Sequence, residues 1–326
     1  MDKLMIANLP TKIEKVHFFR QNLHKSVFIK RDDQTGMATS GNKLRKLEYL
    51  IKDAQNKKCD YLITNGGIQS NHARATAVIA AKYKMNSLLL LKESEKVKTE
   101  GNLFFDKLVG AKIKILSEQQ YQNLPCIIKE LKEELTESGH NPYVIPMGGS
   151  DGLGALGYVD AYYEILRQEE QLGIEFDTIV VTDGSGGTYA GLLYGNKEAN
   201  KNKTIIGMSV LNQMEQAVRD ILHVLEDMNQ YGDNLFRFSD KEINIIDRYI
   251  GLGYGKSQLD ELKFMERFAR EEGIILDPVY TGKSMYGLYR ELKNGNLQES
   301  QNILFIHTGG MFGWTDEKIK MLYGSI

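Results

Sequence analysis

Short apolar runs bounded by glycine, asparagine or charged residues alternate along the chain with longer stretches whose apolar positions recur every three or four residues. The short runs predict strands at 61–64, 87–91, 112–115, 178–182, 205–210 and 303–307. The longer stretches predict helices over 43–55, 70–84, 101–109, 126–138, 187–199, 212–228, 257–272 and 283–293. Alternation of this kind is the pattern of an α/β fold, in which a mostly parallel sheet carries helices on its faces. It sets aside antiparallel all-β folds and pure helical bundles. With 326 residues the chain has room for about two such units, each with its own core. The stretch 142–157 holds five glycines, which predicts a loop or domain crossing there.

Composition narrows the partners. There are 41 basic and 43 acidic side chains, a formal charge of −2, so no net field draws the chain to nucleic acid or anionic lipid. The longest aliphatic run, Leu88 to Leu91, falls far short of the ~20 residues of a membrane span. The opening MDKLMIANLPTKIEK has no continuous apolar signal core, and a cytoplasmic location is the expectation. Cys59 and Cys126 have no metal-type spacing and predict neither a metal site nor a disulfide framework.

Three segments carry candidate chemistry. The predicted strand 178–182 runs into Asp183-Gly184-Ser185-Gly186-Gly187-Thr188 and then a helix. A glycine loop at a helix N-terminus presents N–H groups and a positive dipole end to an anion. Tyr189 stands where a dinucleotide fingerprint needs a small residue, so a phosphate monoester fits better, with the Ser185 and Thr188 hydroxyls as donors. A tight strand-to-helix turn without a ligand would look similar. Two Gly-Lys-Ser tripeptides, at 255–257 and 282–284, lack the upstream glycine of a nucleotide-triphosphate loop, since Ile250 and Asp277 occupy that position. They predict helix starts capped by serine.

Lys43 stands at the mouth of a predicted helix, where the macrodipole favours the neutral amine that carbonyl chemistry requires. A hydrated surface lysine would give the same local pattern. Asn65-Gly66-Gly67-Ile68-Gln69-Ser70-Asn71-His72 places polar side chains beside a helix N-terminus and suits a substrate carboxylate, or else is an ordinary cap by Ser70 or Asn71.

Taken together, Ser40-Gly41-Asn42-Lys43-x-Arg45-Lys46-Leu47-Glu48, Gly66 to His72, Gly184 to Thr188, Asp277-Pro278-Val279-Tyr280-Thr281-Gly282-Lys283-Ser284 and His307-Thr308-Gly309-Gly310 resemble the D-cysteine desulfhydrase and 1-aminocyclopropane-1-carboxylate deaminase family. That family belongs to the tryptophan-synthase-β-like, fold type II enzymes that use pyridoxal 5'-phosphate. The resemblance implies a homodimer of two-domain subunits, with a small domain at 48–152 inserted into a large one made of 1–47 and 153–326. It implies Lys43 as the residue bonded to the cofactor, and Gly184, Ser185, Gly186, Gly187 and Thr188 as the phosphate loop. Asn71 would face the phenolic oxygen and Thr308 the ring nitrogen. Ser70, Asn71 and His72 would meet the substrate carboxylate, and Tyr254, Tyr280 and Thr281 would line the substrate pocket. The resemblance further implies Lys43 as the base, with Ser70, Tyr254 and Tyr280 also catalytic. Either tyrosine could equally be a packing aromatic.

Thr281, Thr308 and His72 are similar to the desulfhydrase branch, because the deaminases carry Glu, Leu and Gln there. A threonine hydroxyl supplies no charge to the ring nitrogen, which suits elimination of a good leaving group better than opening a cyclopropane. The implied activity is α,β-elimination of D-cysteine to pyruvate, ammonia and hydrogen sulfide. The alternatives are cyclopropane-carboxylate deamination, elimination from a related small amino acid (L-cysteate or D-serine-like), and a cofactor carrier without turnover.

Overall fold

A computed structural model describes residues 1–93, 97–232 and 235–324. Among these residues ten strands occur, β1 Ile13–Val16, β2 Ser26–Lys30, β3 Tyr61–Gly67, β4 Asn86–Lys92, β5 Lys112–Leu116, β6 Pro142–Val144, β7 Thr178–Asp183, β8 Thr204–Ser209, β9 Asn244–Ile246 and β10 Asn302–Ile306. They form a six-stranded sheet in the order β1-β2-β10-β7-β8-β9 and a four-stranded sheet in the order β5-β4-β3-β6. β1 runs antiparallel to β2, and every other pairing is parallel. The mixed α/β architecture expected from the sequence is the one observed. β1, β2, β6 and β9 were not anticipated.

The central strands show why the apolar runs were readable. In β7 and β10 successive side chains point to opposite faces, and both faces are covered. Ile179, Val181, Leu304 and Ile306 enter one core with the helices Gly152–Leu172, Gly187–Glu198 and Met214–Met228. Val180, Ile303 and Phe305 enter the opposite core with Phe18, Phe19 and the helices Leu259–Glu272 and Thr281–Lys293. Each such fully buried side chain contributes about 1.5–3 kcal/mol of transfer free energy.

The helix Asn42–Asn56 joins the two sheets. Its first amide, on Asn42, donates to the Thr308 carbonyl just beyond β10 at 3.2 Å. Leu47, Leu50, Ile51 and Ala54 along it pack on Leu62, Ala75, Ile79 and Ile145 of the smaller sheet's layer. Its other side meets the helix Gly152–Leu172, where Arg45 enters a buried ionic network. Arg45 donates to both carboxylate oxygens of Asp32 at 2.9 Å and to Glu164 at 2.9 and 3.1 Å, and Lys30 donates to Glu164 at 2.6 Å.

The glycine-rich stretch 142–157, expected as a loop or crossing, is a loop only in part, and across it the chain leaves the smaller sheet for the core of the larger. Beyond β6 and a turn at Met147–Gly149, the 21-residue helix Gly152–Leu172 begins inside it, with the Asp151 carboxylate accepting from the Gly154 amide at 2.8 Å. Its glycines serve packing rather than a break in the chain. A Cβ on Gly157 would stand 2.4 Å from the Arg45 carbonyl oxygen, and one on Gly191 2.3 Å from that of Ala155. Three helices thus touch backbone to backbone.

The serine caps expected at the Gly-Lys-Ser tripeptides are also corrected. Gln258, paired with Glu261, caps the helix Leu259–Glu272, and Ser284 lies within the helix Thr281–Lys293 with its hydroxyl on the Tyr280 carbonyl. Among the described residues no helix is long and apolar enough to cross a membrane, and no group of three or more metal-ligating side chains gathers.

Candidate active site

A cavity of about 280 Å³ opens where the carboxyl ends of β3, β7 and β10 face one another. Parallel α/β sheets place their ligands at such strand ends. Lys43, Ser70, Asn71, His72, Gly184, Ser185, Gly186, Thr188, Tyr254, Tyr280 and Thr308 all line it. The structure therefore brings together side chains that lie up to 265 positions apart in the chain.

Lys43 occupies the first turn of its helix, and its Nζ donates to the Gly148 carbonyl at 3.3 Å. Loss of hydration on burial pulls its pKa down to about 8, against the opposing pull of Asp183. Asp183 ends β7 and accepts from the Gly186 amide at 3.2 Å, and burial raises its carboxyl to about 6. Asn42 Nδ2 donates to Thr188 Oγ1 at 2.9 Å, which ties the lysine's helix to the glycine loop. The helix Gly187–Glu198 starts from that loop, and Gly186 and Thr188 bring its N-terminal, positive end to the cavity wall. Gly187 itself stands behind the wall, its amide donating to Ser185 O and Ser150 Oγ.

Sequence reasoning missed Lys46. Its fully buried Nζ donates to Gly148 O at 3.3 Å and to Ser150 Oγ at 3.0 Å, and a Cβ on Gly187 would stand 2.7 Å from it. Burial, then the charge of Lys43, holds its pKa well below the usual lysine range. The spacing of Lys46 three residues after Lys43 on one helix face was the available signal.

Ser70 is the N-cap of the helix Asn71–Lys82, its hydroxyl oxygen accepting from the Ala73 amide at 3.2 Å. Asn71 is oriented by Asn102, whose Nδ2 donates to Asn71 Oδ1 at 3.0 Å. That bond leaves the Asn71 amide N–H groups for a ligand oxygen.

His72 departs from expectation. Thr64 Oγ1 donates its single hydrogen to Ile145 O at 2.9 Å, so its 2.9 Å contact with His72 Nε2 makes the imidazole the donor there. Burial, followed by Lys43 and Lys46, holds His72 neutral, with its pKa well below the usual value. The buried Nδ1 has no partner and is an acceptor. It cannot serve a substrate carboxylate as a donor.

Thr281 departs further and does not line the cavity. Its hydroxyl is locked to Asp277, donating to Oδ1 at 2.7 Å and accepting from the Asp277 amide at 2.9 Å. Asp277 also accepts from the amides of Val279, Tyr280 and Thr281, so this buried carboxylate shapes the turn that delivers Tyr280. The Tyr280 and Tyr254 hydroxyls hydrogen-bond each other, with ring centroids 5.7 Å apart. Burial pushes Tyr254 up to about 12 and Tyr280 well above its usual value, so both are protonated acids at neutral pH. At the rim, Tyr121 donates to Asn65 at 2.9 Å, and Lys92 pairs with Glu118 at 2.7 Å.

The donor set fits an aromatic aldehyde phosphate. A glycine loop with the Ser185 and Thr188 hydroxyls can meet a dianion, Lys43 is a part-neutral amine, and Asn71 and Thr308 offer neutral hydrogen bonds. The unpartnered buried Thr182 Oγ1 also lies on the wall.

Comparison with known proteins agrees. Residues 4–309 match the family described as pyridoxal-phosphate dependent enzyme. The chain is 39% identical over 316 residues to a putative 1-aminocyclopropane-1-carboxylate deaminase of Pyrococcus abyssi, covering 96% of this chain and 93% of that protein. It is 40% identical over 329 residues to a bifunctional D-cysteine desulfhydrase/1-aminocyclopropane-1-carboxylate deaminase, mitochondrial, of Arabidopsis thaliana, covering 97% and 80%. The crystal structure of an ACC deaminase homologue superposes with a TM-score of 0.89 at 36% identity, covering 99% and 97%. The chain belongs to the pyridoxal-phosphate-dependent enzymes and, within them, to the family of D-cysteine desulfhydrases and 1-aminocyclopropane-1-carboxylate deaminases.

Proposed function

We propose that the protein eliminates thiol from D-cysteine, which with one water gives pyruvate, ammonia and hydrogen sulfide. The observation that carries this reading is the chemistry of the cavity wall. Two protonated tyrosines line it together with an amine, Thr308 offers a hydroxyl, and Asp183 by the glycine loop is the one carboxylate among the described lining residues. Pyridoxal phosphate, when bound, supplies an aldehyde that condenses with amines and a ring that takes up the electron pair left at the substrate Cα. Gly184, Ser185, Gly186 and Thr188 would hold its phosphate, Lys43 its aldehyde carbon, Asn71 its phenolic oxygen and Thr308 its ring nitrogen.

Ser70 and the helix N-terminus it caps hold the substrate carboxylate. The Lys43 amine, released by the incoming substrate amine, takes the Cα proton; general-base action of this kind is worth about 10²–10⁴-fold. The tyrosine pair then gives a proton to the departing sulfur. A second reading, deamination of 1-aminocyclopropane-1-carboxylate, is favoured by the names of the relatives above.

Purified holoenzyme offered D-cysteine, L-cysteine and the cyclopropane acid in parallel separates the readings. Sulfide and pyruvate from D-cysteine with little 2-oxobutanoate is the expected result, and efficient cyclopropane opening overturns it. Lys43→Ala should abolish the borohydride-trapped cofactor adduct, and a surviving adduct on another lysine would remove Lys43 from its role.

A further inference from the structure

Tyr254 sits in a segment with a glycine at every second position from 251 to 255. Gly251, Gly253 and Gly255 all adopt positive φ, at 66°, 111° and 71°, and Leu252 between them is exposed. A Cβ on Gly253 or Gly255 would meet nothing within 4 Å, so these two glycines answer the backbone conformation rather than packing. Across it lies Lys283, fully buried, three residues after Tyr280 in the helix Thr281–Lys293. Its Nζ donates to Ile250 O at 2.6 Å and to Gly253 O at 2.9 Å. Those carbonyls also close the two turns of the segment, accepting from the Gly253 and Lys256 amides at 3.3 and 3.2 Å. Glu261 is the carboxylate acting on the ammonium, and its Oε1 would stand 2.8 Å from a Cβ on Gly251. Ser257 Oγ ties the end of the segment to Pro278 O at 3.2 Å. One short stretch, 277–284, therefore sets Tyr280 through Asp277 and reaches the segment of Tyr254 through Lys283.

We propose that Lys283 is a positioning residue for the acid step, its ammonium clamping two carbonyls so that the Tyr254 hydroxyl stands against Tyr280 and the leaving group. This deepens the reading of the site as a β-eliminase and rests on it. As the carbon–sulfur bond breaks with its electron pair on sulfur, Tyr254 gives that sulfur its proton and is left as a phenolate accepting from Tyr280. The proton that Lys43 took from Cα replaces it before the next turnover, leaving the enzyme with no net change.

The test is holoenzyme carrying Lys283→Met. Cofactor absorbance and the trapped adduct on Lys43 should persist. Turnover of D-cysteine should fall roughly 10–100-fold in kcat with KM nearly unchanged, the scale of an acid misplaced by about 1 Å. Lys283→Arg should restore much of it. β-Chloro-D-alanine, whose chloride leaves without a proton, should lose far less. In a Tyr254→Phe background Lys283→Met should add no further loss. Equal losses on both substrates, or an additive loss in the double variant, overturn the proposal. If Lys283→Met does not load cofactor, Gly253→Ala perturbs the same segment with no packing clash and must give the same substrate contrast. Wild-type enzyme inert on both substrates refutes the proposed function instead. Amide exchange over 250–256 as slow in Lys283→Met as in wild type refutes the clamp whatever the substrate.

Discussion

The charge state of Lys43 can be measured directly. A lysine at its ordinary 10.5 has about one amine in three thousand free of its proton at pH 7, whereas at about 8 the fraction is about one in eleven. Burial therefore raises the supply of nucleophile ~300-fold at neutral pH. Stripped of cofactor and mixed with pyridoxal phosphate, the apoenzyme should form its adduct at a rate that climbs with pH and levels off above about 8. Asp183→Asn keeps an acceptor for the Gly186 amide but deletes the charge that holds the Lys43 proton on, so the midpoint should move lower. The same shift enters stability with a definite sign. A lysine held below its unfolded value is a cost present in full below about pH 8, and it fades as pH rises through 10.5, so the apoenzyme gains stability from this group across that window. A capture midpoint in the ordinary lysine range, or an upward movement in Asp183→Asn, would refute the burial argument.

Three further substitutions probe the frame around the site. Gly157→Ala forces a methyl to 2.4 Å from the Arg45 carbonyl oxygen and should cost about 1–3 kcal/mol, read as a lowered Tm, because backbone rather than a flexible side chain must move. Arg45→Met strips the partner from Asp32, whose carboxyl the guanidinium holds at about 2, and should cost about 3–5 kcal/mol at pH 7 in denaturant melts. Asp32 stabilises the wild type above pH about 4 and loses that contribution as pH falls toward 2; in Arg45→Met the sign reverses, and mild acid should recover part of the loss. Thr281→Ser, which keeps the hydroxyl on Asp277, should retain the wild-type KM, while Thr281→Val should lose stability and kcat together in thermal melts and steady-state assays.

How far the sequence could be read depended on what each segment had to satisfy. β7 and β10 were visible because both faces are buried and nothing polar interrupts them. The helix Gly152–Leu172 was invisible because contact with its neighbours selects glycine at 157, while a 3.6-residue pattern rewards apolar bulk. β1 escaped as a short edge strand with two charged residues in four. At the site, Asn71 and the glycine loop lie at strand-to-helix transitions and Lys43 in the first turn of a helix, where local pattern and chemistry coincide. Asp183 and Lys46 owe their importance to what burial does to their charges, which no spacing displays. Thr281 and His72 share one feature that position in a motif does not display. The resemblance assigns each to the substrate, yet each has a hydrogen-bonding atom committed to a neighbour, Asp277 in one case and Thr64 in the other.

Those commitments expose the electrical logic of the cavity. Three basic side chains, Lys43, Lys46 and His72, crowd one buried region, and burial pushes each toward its neutral form. The carboxylates that act on the two lysines, Asp183 and Asp151, are themselves raised by burial, Asp183 to about 6, so little negative charge is present to settle them. Desolvated bases without counter-charge are destabilising on their own account and make sense beside an anion supplied from outside. An anion bound in the cavity would favour the protonated forms of both lysines and so relieve part of that cost.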